Sequence, residues 1–246
     1  MLDTARSHFS EAQKAALFSQ PLPKHIALIP DGNRRWAKLR SLPSVEGHQA
    51  GIAALSRLIE GCLELSIPYL TIYGFSTENR KRPPEETLPM LMLIAGYLLE
   101  EAPKMVLSQI RLRAIGDLSA LPLFLQETLQ EVSAQTKGGS RLHLTLALHY
   151  GGRDELCRTC EKLLQSGLVA GPIPEELLAS YLDTKDLPDP DLLIRTSGEM
   201  RVSNFLLWQI AYAEIVVSEA LWPDFSPKHF MEVLFLYQAR ERRGGV

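Results

Sequence analysis

No apolar run in this 246-residue chain reaches the roughly 18 to 20 residues that a membrane-spanning helix needs. The longest, Leu88 to Leu99, is interrupted by Pro89 and Gly96. The N-terminus lacks the basic start and apolar centre of a secretory signal. Residues 3 to 19 read instead as a short amphipathic helix of mixed charge. A cytoplasmic protein is therefore expected. Cysteine is scarce: only Cys62, Cys157 and Cys160 occur, which argues against a disulfide framework. Cys157-Arg-Thr-Cys160 spells C-x-x-C, but no second pair completes a zinc site. Two partly buried helix cysteines are the expectation. No large excess of positive charge is present either. The formal net charge of −3 argues against a histone-like polyanion binder, and no nucleic-acid partner is expected. Any phosphate binding must come from local arginine clusters. Internal repeats, low-complexity tracts and a G-x-x-x-x-G-K-[ST] loop are absent.

What remains is an alternation of short apolar runs with longer helical patterns. Strands are predicted at 25–30, 69–75, 110–115, 141–148, 191–195 and 213–218. Helices are predicted at 47–65, 85–102, 122–136, 153–166, 174–182 and 226–242. This order implies an α/β fold: a central, mostly parallel sheet of about six strands flanked by helices. One domain is expected over residues 1–246, with residues 1–20 as a helical extension.

Ligands of open α/β sheets bind beyond the carboxyl ends of the strands. Four loops fall there, and all are rich in Arg, Gly, Ser, Thr or Asn. The most informative is Asp31-Gly32-Asn33-Arg34-Arg35-Trp36. Its carboxylate can hold a metal, Gly32 lets the backbone approach a ligand, and the arginines can fork onto phosphate oxygens. The amides beyond Gly32 are read as opening a helix whose N-terminus attracts phosphate. After strand 191–195, Arg195, Arg201 and Ser203 surround a glycine turn and suffice for a diphosphate. The competing reading pairs these arginines with Glu199 and Asp191, but surface pairs contribute only about 0–1 kcal/mol and do not explain the clustering. Arg80, Lys81 and Arg82 form a basic triplet beside Ser76 and Asn79, and His48 opens a helix. Glu214, beside an apolar strand, needs a partner: either Mg²⁺ shared with Asp31 or an internal arginine. The helix at 85–101 is apolar on more than one face, which suits core packing or the wall of a greasy channel.

These blocks match a known pattern. The run His25 to Ala37, Gly47-His48, Gly74 to Pro83, Arg113 to Asp117, Tyr150 to Arg153, Asp191 to Glu199, Arg201 to Glu214 and Leu221 to Phe225 together resemble the cis-prenyltransferases, above all bacterial undecaprenyl diphosphate synthases. The resemblance spans nearly all of residues 24 to 245. It implies a hydrophobic tunnel, Mg²⁺ as cofactor and a homodimer. It also implies condensation of isopentenyl diphosphate onto an allylic diphosphate such as farnesyl diphosphate. The product would be a long polyprenyl diphosphate, namely the undecaprenyl carrier of cell-wall synthesis. Such an enzyme would touch the inner membrane face transiently to release product. A shorter-chain synthase and a non-catalytic partner subunit are the alternatives within the fold. A nucleotide or phosphosugar enzyme is the alternative outside it.

Carried over by residue, the resemblance gives Asp31 and Glu214 as metal carboxylates, with Asp31 assisting departure of the allylic diphosphate. Gly32, Asn33, Arg34, Arg35 and His48 would hold that diphosphate beside Trp36. Arg195, Arg201, Val202 and Ser203 would hold isopentenyl diphosphate. Ser76, Thr77, Glu78, Asn79, Arg80 and Arg82 would shape the reacting centre. The family makes Asn79 the proton acceptor, yet a carboxamide is a poor base, and an orienting role suits it better. Four positions depart from the family. Arg34 replaces a frequent glycine, and Arg80 and His149 replace Trp and Asn. Ser44 replaces an arginine, whose phosphate contact is either lost or taken over by Arg40. The tail Arg243-Gly244-Gly245 resembles the family's Arg-x-Gly, which can reach a partner subunit's site.

Overall fold

The computed structural model describes residues 2–3, 7–81, 83–167 and 171–240. Six strands form one parallel sheet in the order β3-β4-β2-β1-β5-β6. They are β1 (His25–Ile29), β2 (Tyr69–Ser76), β3 (Ile110–Ile115), β4 (Leu142–Tyr150), β5 (Leu192–Thr196) and β6 (Glu214–Ser218). Strands buried on both faces read as continuous apolar runs, and β1, HIALI, is buried throughout. Its alternate residues serve two cores. Ile26 and Leu28 join the large cluster; Ala27 and Ile29 join a smaller one with Tyr73, Tyr150, Leu193 and Phe205. All six predicted strands are present, within two residues at either end.

The helices are α1 (Glu11–Phe18), α2 (Asn33–Leu39), α3 (Ser44–Glu64), α4 (Pro84–Leu107), α5 (Leu123–Gln135), α6 (Gly152–Gln165), α7 (Glu175–Ala179) and α8 (Pro227–Gln238). The N-terminal helix is shorter than expected. It starts at a capping box on Ser10, and the residues before it are tied to α3 and α4 instead. Leu2 N donates to Glu101 (2.9 Å) and His8 N to Glu64 (2.8 Å). In the other direction α4 outruns its prediction, passing through Pro103 to Leu107. Cys157 and Cys160 are both exposed on α6 rather than partly buried. Among the described residues no helix is long and apolar enough to cross a membrane.

The sheet decides where a ligand can sit. From β1 the chain steps to β2 on one side, whereas β5 flanks β1 on the other. Loops leaving the carboxyl ends of β1 and β5 therefore part and leave a crevice.

Candidate active site

A cleft of about 710 Å³ opens at that crevice. Its polar end is built from the loops after β1, β2 and β5, through Asp31, Arg35, Asn79, Arg195, Arg201 and Ser203. Its other walls are apolar: Ile52 and Leu55 of α3, Ile72 of β2, and Met90, Leu93 and Ile94 of α4. The apolar face of α4 thus serves both readings, packing the core and lining the cleft. The described residues line an apolar-walled cleft, and a tunnel is not shown among them.

Asp31 is held at both backbone and side chain. Thr196 Oγ1 accepts from Asp31 N (2.8 Å) and donates to Asp31 O (2.7 Å), and Trp222 N donates to the same carbonyl (3.0 Å). Arg195 Nη2 donates to Asp31 Oδ2 (2.8 Å), and Arg35 lies 3.4 Å from Oδ1. Burial pushes the carboxyl up, but Arg195 and Arg35 outweigh it and hold it below the usual carboxylate range. Asp31 is therefore an anion at neutral pH. Gly32, at φ 113°, makes the turn into α2, where a side chain would meet the backbone of Leu221. Helix α2 can lie close because α3 carries glycine where they touch: a Cβ on Gly47 would stand 2.1 Å from Asn33 O.

The second cation is more deeply set. Arg195 is 4% exposed, and its Nη1 donates to Ser203 Oγ (2.7 Å) and to the Arg201 carbonyl. That loop is strained, since Ser203, Asn204 and Leu206 all have positive φ. Asn204 holds it in place. Its carbonyl accepts from Gly152 N (2.6 Å), its Oδ1 from Arg153 N (2.9 Å), and its Nδ2 donates to Glu78 (2.9 Å). On the β2 side, Asn79 Oδ1 accepts from Ser76 N (3.1 Å) and Ser76 Oγ accepts from Asn79 N (3.2 Å). The amide side chain of Asn79 thus already organises its own turn.

Of the residues read from sequence, Asp31, Gly32, Asn33, Arg34, Arg35, His48, Ser76, Glu78, Asn79, Arg195, Arg201 and Ser203 all line this cleft. Others do not. Trp36 turns outward, donating to Asp224 (2.7 Å) beneath the Arg40 guanidinium. Arg40 pairs with Asp224, at 3.3 Å, and is not among the residues that line the cleft. Arg80 is exposed, and Val202 packs on the smaller core. Thr77 is outside the lining and donates to Glu78 (3.1 Å). His149 is buried 3.8 Å from Asp117, away from the cleft. Arg82, Arg243, Gly244 and Gly245 lie outside the described residues.

Glu214 is not brought to Asp31. It opens β6 level with Leu192, which is level with Ile26. Asp31 lies past the far end of β1, so within one chain the two carboxylates stand roughly 10 Å or more apart along the strands, and two strand spacings apart across them. Spacing in sequence could not show this, because the parallel register alone sets which strand ends meet. Asp191 likewise caps the opposite edge, accepting from Lys24 N (2.7 Å). The Arg201–Glu199 pair, by contrast, is present. Tyr73, Asn204 and Trp222 line the cleft without having been singled out; Asn204, next to Ser203 in a polar loop, was the one within reach of sequence reasoning.

The donor set suits a hard cation and anionic ligands together. Asn33 Oδ1 and Arg195 Nε are buried and have no partner among the described residues, one an acceptor and one a cationic donor. With Asp31 they offer oxygen to a cation and N–H to a phosphate. Among the described residues no group of three or more His, Cys, Asp or Glu could enclose a metal, so oxygens from outside the protein, of phosphate or water, would complete its shell.

A family model for undecaprenyl diphosphate synthases matches residues 29–245. An isoprenyl transferase of Chlamydia caviae is 49% identical over 234 residues, covering 92% of this chain and 94% of the relative. One from Heliobacterium mobile is 48% identical over 230 residues, covering 92% and 88%. The crystal structure of lavandulyl diphosphate synthase from Lavandula x intermedia, in complex with dimethylallyl diphosphate, superposes with a TM-score of 0.86 at 34% identity. That match covers 92% of this chain and 99% of the other.

Proposed function

Because this chain belongs to the undecaprenyl diphosphate synthase family of isoprenyl transferases, we propose that it adds isopentenyl diphosphate units to an allylic diphosphate, with farnesyl diphosphate as first acceptor. The product is a long cis-polyprenyl diphosphate, the undecaprenyl carrier of cell-wall synthesis. The observation that carries this reading is Asp31 itself, bonded at once to Arg35 of the first phosphate set and Arg195 of the second. Two diphosphates gripped by those sets would meet at one carboxylate, with an apolar wall behind them for a growing chain. The solved relative bound to dimethylallyl diphosphate supports an allylic diphosphate as ligand.

In the step proposed, the allylic carbon–oxygen bond breaks and diphosphate leaves. The double bond of isopentenyl diphosphate supplies the electron pair of the new carbon–carbon bond, and a proton is then lost to form the cis double bond. Arg34, Arg35 and His48 hold the departing diphosphate, and their fixed donors stabilise its developing charge. Arg195, Arg201 and Ser203 orient the attacking substrate. Asp31, with the substrate phosphates, would hold Mg²⁺, which neutralises phosphate charge when bound. Asn79, its Oδ1 engaged by Ser76 N, orients the turn at the reacting centre, and a diphosphate oxygen or water takes the proton. Exposed Ile215 of edge strand β6 and Tyr212 just before it suit a homodimer, and exposed Leu88, Met92 and Leu99 of α4 suit transient membrane contact.

The test is incubation with farnesyl diphosphate, radiolabelled isopentenyl diphosphate and Mg²⁺, followed by chain-length analysis. A ladder of five-carbon additions is expected, ending at the undecaprenyl length. Products that stop early would make this a short-chain synthase. No incorporation would overturn the catalytic reading.

A further inference from the structure

Glu199 belongs to neither phosphate set, yet it holds one arginine from each. One carboxylate oxygen stands 3.3 Å from Arg35 Nη1, and the other accepts from Arg201 Nη1. Arg35 has further anchors in Ser197 and Asp31. The Arg201 guanidinium, 60% exposed, has no other partner among the described residues. Three guanidiniums, those of Arg35, Arg195 and Arg201, crowd the polar end of the cleft, and Asp31 alone cannot offset them. A carboxylate spanning two guanidiniums offers the same charge sign and the same paired oxygens as a phosphate group.

We propose that Glu199 is a displaceable stand-in for diphosphate, holding Arg35 and Arg201 ready while the cleft is empty and releasing both when a diphosphate enters. The inference rests on the reading of these arginines as diphosphate grips. Two features make displacement easy. The Glu199 side chain is 31% exposed, and exposed pairs are weak, so a diphosphate with more charge and more oxygens wins the exchange. The residue also follows Ser197 and Gly198, both at positive φ, in an open turn outside any strand or helix. Glu199 is thus a positioning residue that lowers diphosphate affinity by competing for its ligands.

The probe is inorganic pyrophosphate, titrated calorimetrically into the full chain in metal-free buffer. Glu199→Gln should bind it roughly three- to tenfold tighter than the unaltered protein, the loss of two weak exposed pairs. That gain should shrink as salt rises from about 0.05 to about 0.5 M, because the competing pairs are screened. Glu219→Gln removes a neighbouring exposed carboxylate and should change affinity by less than about twofold. Unchanged or weaker binding by Glu199→Gln overturns the stand-in role, as does an equal gain from Glu219→Gln. If the unaltered protein binds no pyrophosphate, the arginine reading itself fails, and the inference with it.

Discussion

Asp31 meets two opposing demands: it is partly withdrawn from water, yet it stays ionised between Arg195 and Arg35. Removing that charge takes away the carboxylate that joins Arg35 to the buried Arg195. Asp31→Asn is expected to lower isoprenyl transfer on the order of 10²-fold, as loss of one preorganised electrostatic group typically does. It should also cost about 1–3 kcal/mol of stability, because buried Arg195 loses its charged partner. Incorporation assays and urea melts would measure the two effects separately. Asn79 acts by placement. Asn79→Ala frees Ser76 N and lets the turn drift, so turnover should fall about 10- to 100-fold. Near-normal turnover would remove any role in the reaction. Both residues were readable from their motif, since short blocks of charged and amide side chains at a strand end carry a chemical signature. Glu199 was visible too, but only as the bland partner of an arginine.

At the scale of elements, the strands and most helices follow from apolar periodicity, and where they stop depends on their neighbours. Helix α4 tolerates Pro103 because the carbonyl left without its N–H partner belongs to exposed Leu99, where water can serve it. At the head of β1, His25 is 2% exposed. Its Nδ1 donates to Pro188 O (2.6 Å) and its Nε2 accepts from Thr71 (2.8 Å), which fits a neutral ring. Burial pushes its pKa down to about 4 from 6.5. The folded state therefore resists protonation that the unfolded chain accepts. Stability should be full above pH 6.5, and fall by about 3 kcal/mol as pH drops from 6.5 to 4. Urea midpoints across that range would show the slope, and His25→Gln should flatten it.

For the whole molecule, the cleft joins a charged end to an apolar one, so affinity for the proposed polyprenyl product should grow with its length. Each five-carbon unit, if buried, adds about 4 kcal/mol of apolar stabilisation. Release should then limit steady turnover, with single-turnover rates faster than steady-state ones. Detergent or lipid vesicles should raise the steady rate by giving the tail somewhere to go. Equal rates in the two regimes would count against a long product.

The α/β class, the six strands and the arginine-rich loops were determined by sequence alone, because apolar spacing and local chemistry are properties of short segments. Twelve of the proposed site residues could also be named, most from their local chemistry, and Asn33 and Glu78 only through the family resemblance. Which of them meet was a tertiary matter. Parallel register carried Arg195 to Asp31 and left Glu214 at the opposite end of the sheet. Helix α2 turned Trp36 outward, and the strained loop at Ser203 and Asn204 drew α6 against it. Contacts of that kind are set by strand order and close packing between segments far apart in the chain, where periodicity carries no information.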